Sequence, residues 1–400
     1  MFNMKRKALL IGAGAAFLVA TSLGARLFFS KPPAPPISKA GLEKLAKADT
    51  DVVVTERKKN GAPSPVERGI QLADAWLARG KITADGADFD RAMDYVNEAA
   101  KQAAISQKAE EVKAQWPDIT AERARVLRAR HRFVEARVTA EKGLRDSPDH
   151  DLLLGLAGDA AVQSGDLLAG ENYLRKLTNA APRVPSNWIA LAYWAEISGD
   201  LEQAAELLRQ APNASAPKPL TDERIAYVNT VLADVVSKQG NFAEARRLYD
   251  FAMTKAKDYA QARSGLADVE QYAGNDAAAE KLLRGLIESE WPNADYKVKL
   301  AGVRERLGDA AEAKSLRREA EIFYEWSVST GYDGYLRPLA TLKLADGDYV
   351  AAAKLAARDL ELRPNSESRT IYQNVLNQAK AAGKPVSASG LPDLRQAGAR

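Results

Sequence analysis

The sequence contains no cysteine and only two histidines, His131 and His150, in 400 residues. The missing thiols exclude disulfides, thiolate metal sites, thiol nucleophiles and a lipidated cysteine, and they leave the compartment open. Neither histidine is bracketed by acidic pairs at ligand spacing, so a His/Cys metal site is not expected. Phosphate-binding glycine loops, a nucleophile elbow and a zinc-protease helix are also missing. Gly12-Ala13-Gly14 sits inside an apolar run with no strand before it, and is no dinucleotide fingerprint. Paired acids such as Glu110-Glu111 fall on predicted exposed helix surface. The expectation is a non-enzyme with no cofactor and no metal.

What is present suits a helix-rich chain, with 46% hydrophobic and 28% charged residues, enough apolar material for a core. The net charge of +4 is uneven, because residues 1–70 hold 12 Lys/Arg against 5 Asp/Glu. A slightly acidic body behind a basic leading stretch argues against nucleic acid as the main partner, which needs a concentrated Lys/Arg face. The basic stretch suits anionic lipid instead.

Lys5, Arg6 and Lys7 precede an apolar run from Ala8 to Ala25, and Arg26 is followed by Leu27-Phe28-Phe29. Eighteen helical residues span about 27 Å, close to the hydrocarbon thickness of a bilayer. The run reads as a signal anchor over residues 1–30. The alternatives are a cleaved signal peptide, for which Leu23-Gly24-Ala25 has a good −1 and a mediocre −3 position, and a buried core helix. The preceding basic flank places the N-terminus in the cytoplasm, so in both export readings the remainder faces the periplasm or cell exterior. Lys31 to Pro36 predicts an extended proline spacer within a basic linker over 31–70. Within that linker a short helix is expected over 38–48 and a loop over 56–65. The Gly/Ser/Ala/Pro-rich stretch 381–400 predicts a disordered tail.

Between about 117 and 366 one phrase recurs: Gly165-Asp166, Gly199-Asp200, Gly240-Asn241, Gly274-Asn275, Gly308-Asp309 and Gly347-Asp348, separated by 34, 41, 34, 34 and 39 residues. The longer gaps coincide with Pro212 to Pro219 and with extra residues around Ser327 to Asp333. His131 falls one period before Gly165. Each phrase suits a tight turn between antiparallel helices, with a left-handed glycine ending the first helix and Asp or Asn capping the second. Seven residues before the turns stand Ala124, Gly158, Ala192, Ala233, Ala267, Ala301 and Ala340; five after them stand Ala136, Gly170, Ala204, Ala245, Ala279, Ala313 and Ala352. Only close approach of helix backbones keeps two columns that small. Leu191, Leu232, Leu266, Leu300 and Leu339 precede the first column, and Pro148, Pro182 and Pro364 follow the second helices.

Small, small, large and proline on a 34-residue period resemble the tetratricopeptide repeat (TPR). The resemblance implies an all-α, right-handed superhelical solenoid of antiparallel helix pairs, preceded by one N-terminal transmembrane or signal helix. It covers seven units over 117–366, with a divergent helical unit over 71–116, where Phe89-Asp90-Arg91-Ala92 matches Phe242-Ala243-Glu244-Ala245, and a capping helix over 367–380. The aromatic usual early in the first helix survives only as Trp188. The last small position of the second helix is replaced by Leu177, Leu286 and Asp359.

The family resemblance implies that each unit's first helix lines a concave face where a partner protein or peptide binds. The column eight residues into each unit supplies the candidate groove residues Arg125, Asp159, Tyr193, Asp234, Asp268 and Thr341. Three aspartates there suggest a mildly acidic groove favouring Lys, Arg or free amides; the alternative is a row of ordinary solvated positions. The Lys/Asn pattern that grips a C-terminal carboxylate is missing. Trp188 reads as core, and Tyr193 as core or a peptide anchor. Tyr324, Trp326, Tyr332 and Tyr335 surround the insertion, either packing a lengthened second helix or marking a contact site. The functional expectation is a membrane-tethered or exported scaffold. The alternatives are an accessory subunit of a cell-envelope polysaccharide synthesis, export or assembly complex, or a glycan-binding solenoid. The partner and the oligomeric state are not legible.

Overall fold

The computed structural model describes residues 34–57, 64–106, 109–211 and 220–386. The expected N-terminal anchor and most of the expected C-terminal tail lie outside these. Everything below concerns the compact unit that starts at Pro36. None of the described helices is long and apolar enough to cross a membrane.

Regular structure among the described residues is entirely helical. Helix α1 (Lys39–Arg57) precedes eight antiparallel pairs: α2 (Pro65–Thr83) with α3 (Gly86–Ile105), α4 (Ala109–Ala129) with α5 (Phe133–Asp146), α6 (Asp151–Gln163) with α7 (Leu167–Ala180), α8 (Pro185–Ile197) with α9 (Leu201–Gln210), α10 (Asp222–Lys238) with α11 (Phe242–Lys255), α12 (Ala260–Tyr272) with α13 (Asp276–Ser289), α14 (Ala294–Arg306) with α15 (Ala310–Ser329), and α16 (Leu336–Ala345) with α17 (Tyr349–Leu362). Helix α18 (Ser366–Ala381) closes the series.

Helix α1 runs well past the expected 38–48 despite the β-branched run Val52-Val53-Val54. Ala48 and Val52 are buried, and the Thr50 and Thr55 hydroxyls donate to carbonyls one turn back, at Ala46 and Asp51. Packing overrides propensity there. Helix α18 starts at Ser366, within one residue of the expected start, where the Asn365 side chain accepts from the Ser368 amide and caps it.

The recurrent turns behave as their chemistry requires. The six phrase glycines have φ between +75° and +89°, and His131 takes the same left-handed slot at +61°. Asp166, Asp200, Asn241, Asp309 and Asp348 then cap the following helix by accepting from the third amide. Every residue of the two small columns is buried, and so are the five leucines. A Cβ added at Gly158 would lie 2.7 Å from Leu174, which measures how closely α6 and α7 approach. Trp188 is half-buried, packs against the central core cluster, and donates its indole N–H to the Pro182 carbonyl.

Periodicity does not predict that the stack closes on itself. Turns on one edge of the first three pairs meet the segments between the last ones, more than 190 residues away. The Thr330 hydroxyl accepts from the Gly86 amide at 2.8 Å, and the Ser327 hydroxyl donates to the Ala84 carbonyl at 2.6 Å, both buried. Tyr332 stacks on Phe89 with centroids 5.2 Å apart and lies edge-on to His131. The Arg363 guanidinium covers the Phe133 ring at 5.8 Å, and a Cβ at Gly165 would lie 2.6 Å from the Pro364 carbonyl. Helix α1 crosses the same seam: Lys44 pairs with Glu290, Gly41 lies against the Trp291 ring, and the Tyr95 hydroxyl reaches Glu56. The aromatic insertion is therefore largely an internal joint, with Phe323, Tyr324 and Tyr335 packed behind Tyr332.

Candidate partner-binding groove

The first helices of successive pairs present a regular lattice of side chains. Helices α6, α8 and α10 line a cavity of 910 Å³. Across it run three rows at equivalent repeat positions: Leu152, Ser186 and Tyr227; then Leu156, Ala190 and Val231; then Asp159, Tyr193 and Asp234. One turn further on, Gln163 and Lys238 form the polar rim. The groove thus passes from apolar to charged along the helix axes.

The column expected from the repeat pattern lies at that boundary, and the structure distributes its members unevenly. Asp159, Tyr193 and Asp234 share the groove. Asp159 pairs with Arg128. The Tyr193 hydroxyl accepts from Gln163 at 2.7 Å, and burial, with Asp159 nearby, pushes its pKa up to about 12. Asp234 accepts a 2.5 Å bond from the Tyr249 hydroxyl, and burial raises its carboxyl pKa. Asp268 pairs with Lys299 at 2.7 Å and lines an adjoining 610 Å³ cavity with Asp234, Tyr272 and Arg306. Arg125 is committed to Asp74 and Glu122, at 2.6 Å each, as counter-ion to a carboxyl that burial pushes up to about 7. Thr341 is exposed and bonds back to the Arg337 carbonyl of its own helix. Each aspartate of the column already has a partner within the chain, so the column is not a bare acidic strip.

The residues that make the groove apolar, Leu152, Leu156, Tyr227 and Val231, were not singled out by the repeat pattern. They stand three and seven residues before the column on the same helices, so shifting the column by those offsets would have found them.

Both histidines have structural places. His150 caps α6, its Nδ1 accepting from the Leu153 amide, while Nε2 faces Asp118. His131 lies in the seam, where burial, reinforced by Arg363, Arg337 and Arg128 and opposed by Asp359, depresses its pKa to about 3. Its Nε2 faces the Tyr332 hydroxyl at 3.4 Å, and its Nδ1 is buried without a partner. A folded pKa below the unfolded 6.5 means that the stability it contributes is present above pH 6.5 and lost as pH falls towards 3. Between pH 7 and pH 5 the loss should be about 2 kcal/mol. His131→Asn, which accepts the left-handed turn but does not titrate, should remove that share. Urea melts of both proteins at the two pH values measure it; equal pH dependence would refute the assignment.

Among the described residues, no group of three or more His, Cys, Asp or Glu side chains is placed to hold a metal ion. No family model and no curated protein matches the chain. The arrangement of helix pairs resembles TPR solenoids. A tetratricopeptide repeat protein from Parabacteroides merdae superimposes with a TM-score of 0.47 at 13% identity, over 70% of this chain and all of that one. The human IFIT1 dimer with m7Gppp-AAAA gives 0.45 at 12% identity, over 86% and 96%. PilW, a type IV pilus biogenesis factor, gives 0.42 at 15%, over 54% and 97%. Likeness at this level says nothing about partner or activity.

Proposed function

We propose that the chain is a non-catalytic scaffold, tethered to a membrane or exported by its N-terminal segment, that binds a protein or peptide partner across α6, α8 and α10. The observation that carries this is the groove: Leu152 and Tyr227, 43% and 45% exposed, stand at equivalent positions in one concavity that also presents Val231 and Tyr193. The tether is supported by the apolar run after Lys5-Arg6-Lys7. A photo-crosslinking residue placed at Leu152 or Tyr227 should capture the same partner in living cells. The same residue at exposed Arg247 or Lys281, on the opposing helices α11 and α13, should not. Fractionating the adducts reports whether they travel with the membrane. Capture confined to the α11 and α13 positions would overturn the concave assignment.

A further inference from the structure

We infer that the groove's occupant is a peptide segment with bulky apolar side chains along one edge and Lys or Arg along the other. This rests on the proposal that the concave face is the binding surface, and adds the chemistry of what it takes. Two mainly apolar rows, broken by Ser186, line the cavity, with Leu152, Tyr227 and Val231 accessible and Leu156 forming its floor. The other charged lining consists of four carboxylates, Asp151, Asp159, Glu196 and Asp234, against two cations, Arg128 and Lys238. The cations are already engaged, Arg128 with Asp159 and Lys238 with Glu196, and Asp234 accepts from Tyr249. Asp151, at the mouth of the apolar side, is exposed and belongs to the first turn of α6. A ligand carboxylate would therefore meet an excess of like charge, while a ligand ammonium or guanidinium would meet the opposite.

The width sets the ligand's length. Three packed helices place the outer two axes about 20 Å apart, which an extended segment of about six residues spans. Alternation of an extended chain puts apolar and basic side chains on opposite edges, matching the groove's two sides.

The test uses the full chain in phosphatidylcholine nanodiscs, whose neutral surface does not itself attract a basic peptide. Three end-capped, fluorescein-labelled decapeptides are compared by anisotropy: alternating Leu and Lys, alternating Leu and Glu, and alternating Ser and Lys. The Leu/Lys peptide should bind at least about tenfold more tightly than either other, because it alone satisfies both sides. Leu152→Ser with Tyr227→Ser should weaken it by a similar factor, and both positions are exposed enough to leave the fold intact. Asp159→Asn with Glu196→Gln, both on the charged side, should weaken it more at low salt than at high salt. Equal binding of the Leu/Glu peptide, or Leu/Lys binding indifferent to both double variants, would overturn the inference. Crosslinks from Tyr227 would still report on the concave face, so failure of the peptide chemistry is distinguishable from failure of the groove.

Discussion

Gly86→Ala should destabilise the chain by about 1–3 kcal/mol and loosen the seam, although alanine is the better helix former. Gly86 is the first residue of α3, and its φ is not in the left-handed region. In an open solenoid the substitution would be neutral or stabilising by up to about 1 kcal/mol, since alanine loses less backbone freedom on folding. In the closed one an added methyl group overlaps the Thr330 carbonyl and crowds Gly331, both backbone atoms that no rotamer change can move. The same methyl displaces the amide that donates to Thr330. The sign of the effect therefore reports the seam. Gly302, in the middle of α14, provides the control: an added Cβ there meets only the tip of Arg306 at 4.0 Å, so Gly302→Ala should stabilise. Urea denaturation gives both signs, and small-angle scattering of Gly86→Ala should show a larger radius of gyration. If Gly86→Ala proved as stable as the parent while Gly302→Ala gained stability, the seam would not form in solution.

The repeats were legible in the sequence because their causes are local. A left-handed turn needs glycine, a helix start needs a capping oxygen, and closely packed backbones need small side chains, so the 34-residue spacing exposes all three. His131 was legible as an occupied turn slot on spacing alone, and its φ of +61° agrees. Closure was not legible, since nothing in a 34-residue period records which units touch after a full turn. Its trace lies instead in departures from the period: His131 where glycine is usual, the aromatic insertion at Tyr332, and Asp359 where a small residue is usual. All three lie in the seam or in the network behind it. In the groove, the charged column was legible but its energetic content was not, because cations on neighbouring helices, Arg128 and Lys299, already answer Asp159 and Asp268. The apolar rows beside the column were on the same lattice and needed only the same offset.

Asp359→Leu should cost about 3–5 kcal/mol, even though Leu177 and Leu286 occupy the equivalent position in other units and are buried without difficulty. At 1% exposure the Asp359 carboxylate accepts from Arg337 Nε at 2.7 Å, from Ser368 Oγ at 2.7 Å and from Arg363 Nε at 2.8 Å. Arg363 is itself 7% exposed and spreads over Phe133, while Arg337 also holds Asn365 and Ser368 at the start of α18. Leucine would fill the volume but leave the buried Arg363 without its counter-ion, while Arg337 would keep only the more exposed Glu367. An unpaired buried charge, not a lost attraction, is the main cost. Replacing all three at once, Asp359→Leu with Arg337→Met and Arg363→Met, removes the buried charges together, leaves only the solvent-exposed Glu367 without its partner, and should recover most of the loss in global stability. The triple variant should nevertheless weaken the seam, because the cation over Phe133 is gone and α18 has lost its tie to α16. Urea denaturation measures the first effect, and amide exchange at Phe133 and Gly165 the second. A neutral Asp359→Leu would show that the departure from the repeat pattern is tolerated rather than required; a triple variant with parental exchange rates would remove Arg363 from the seam.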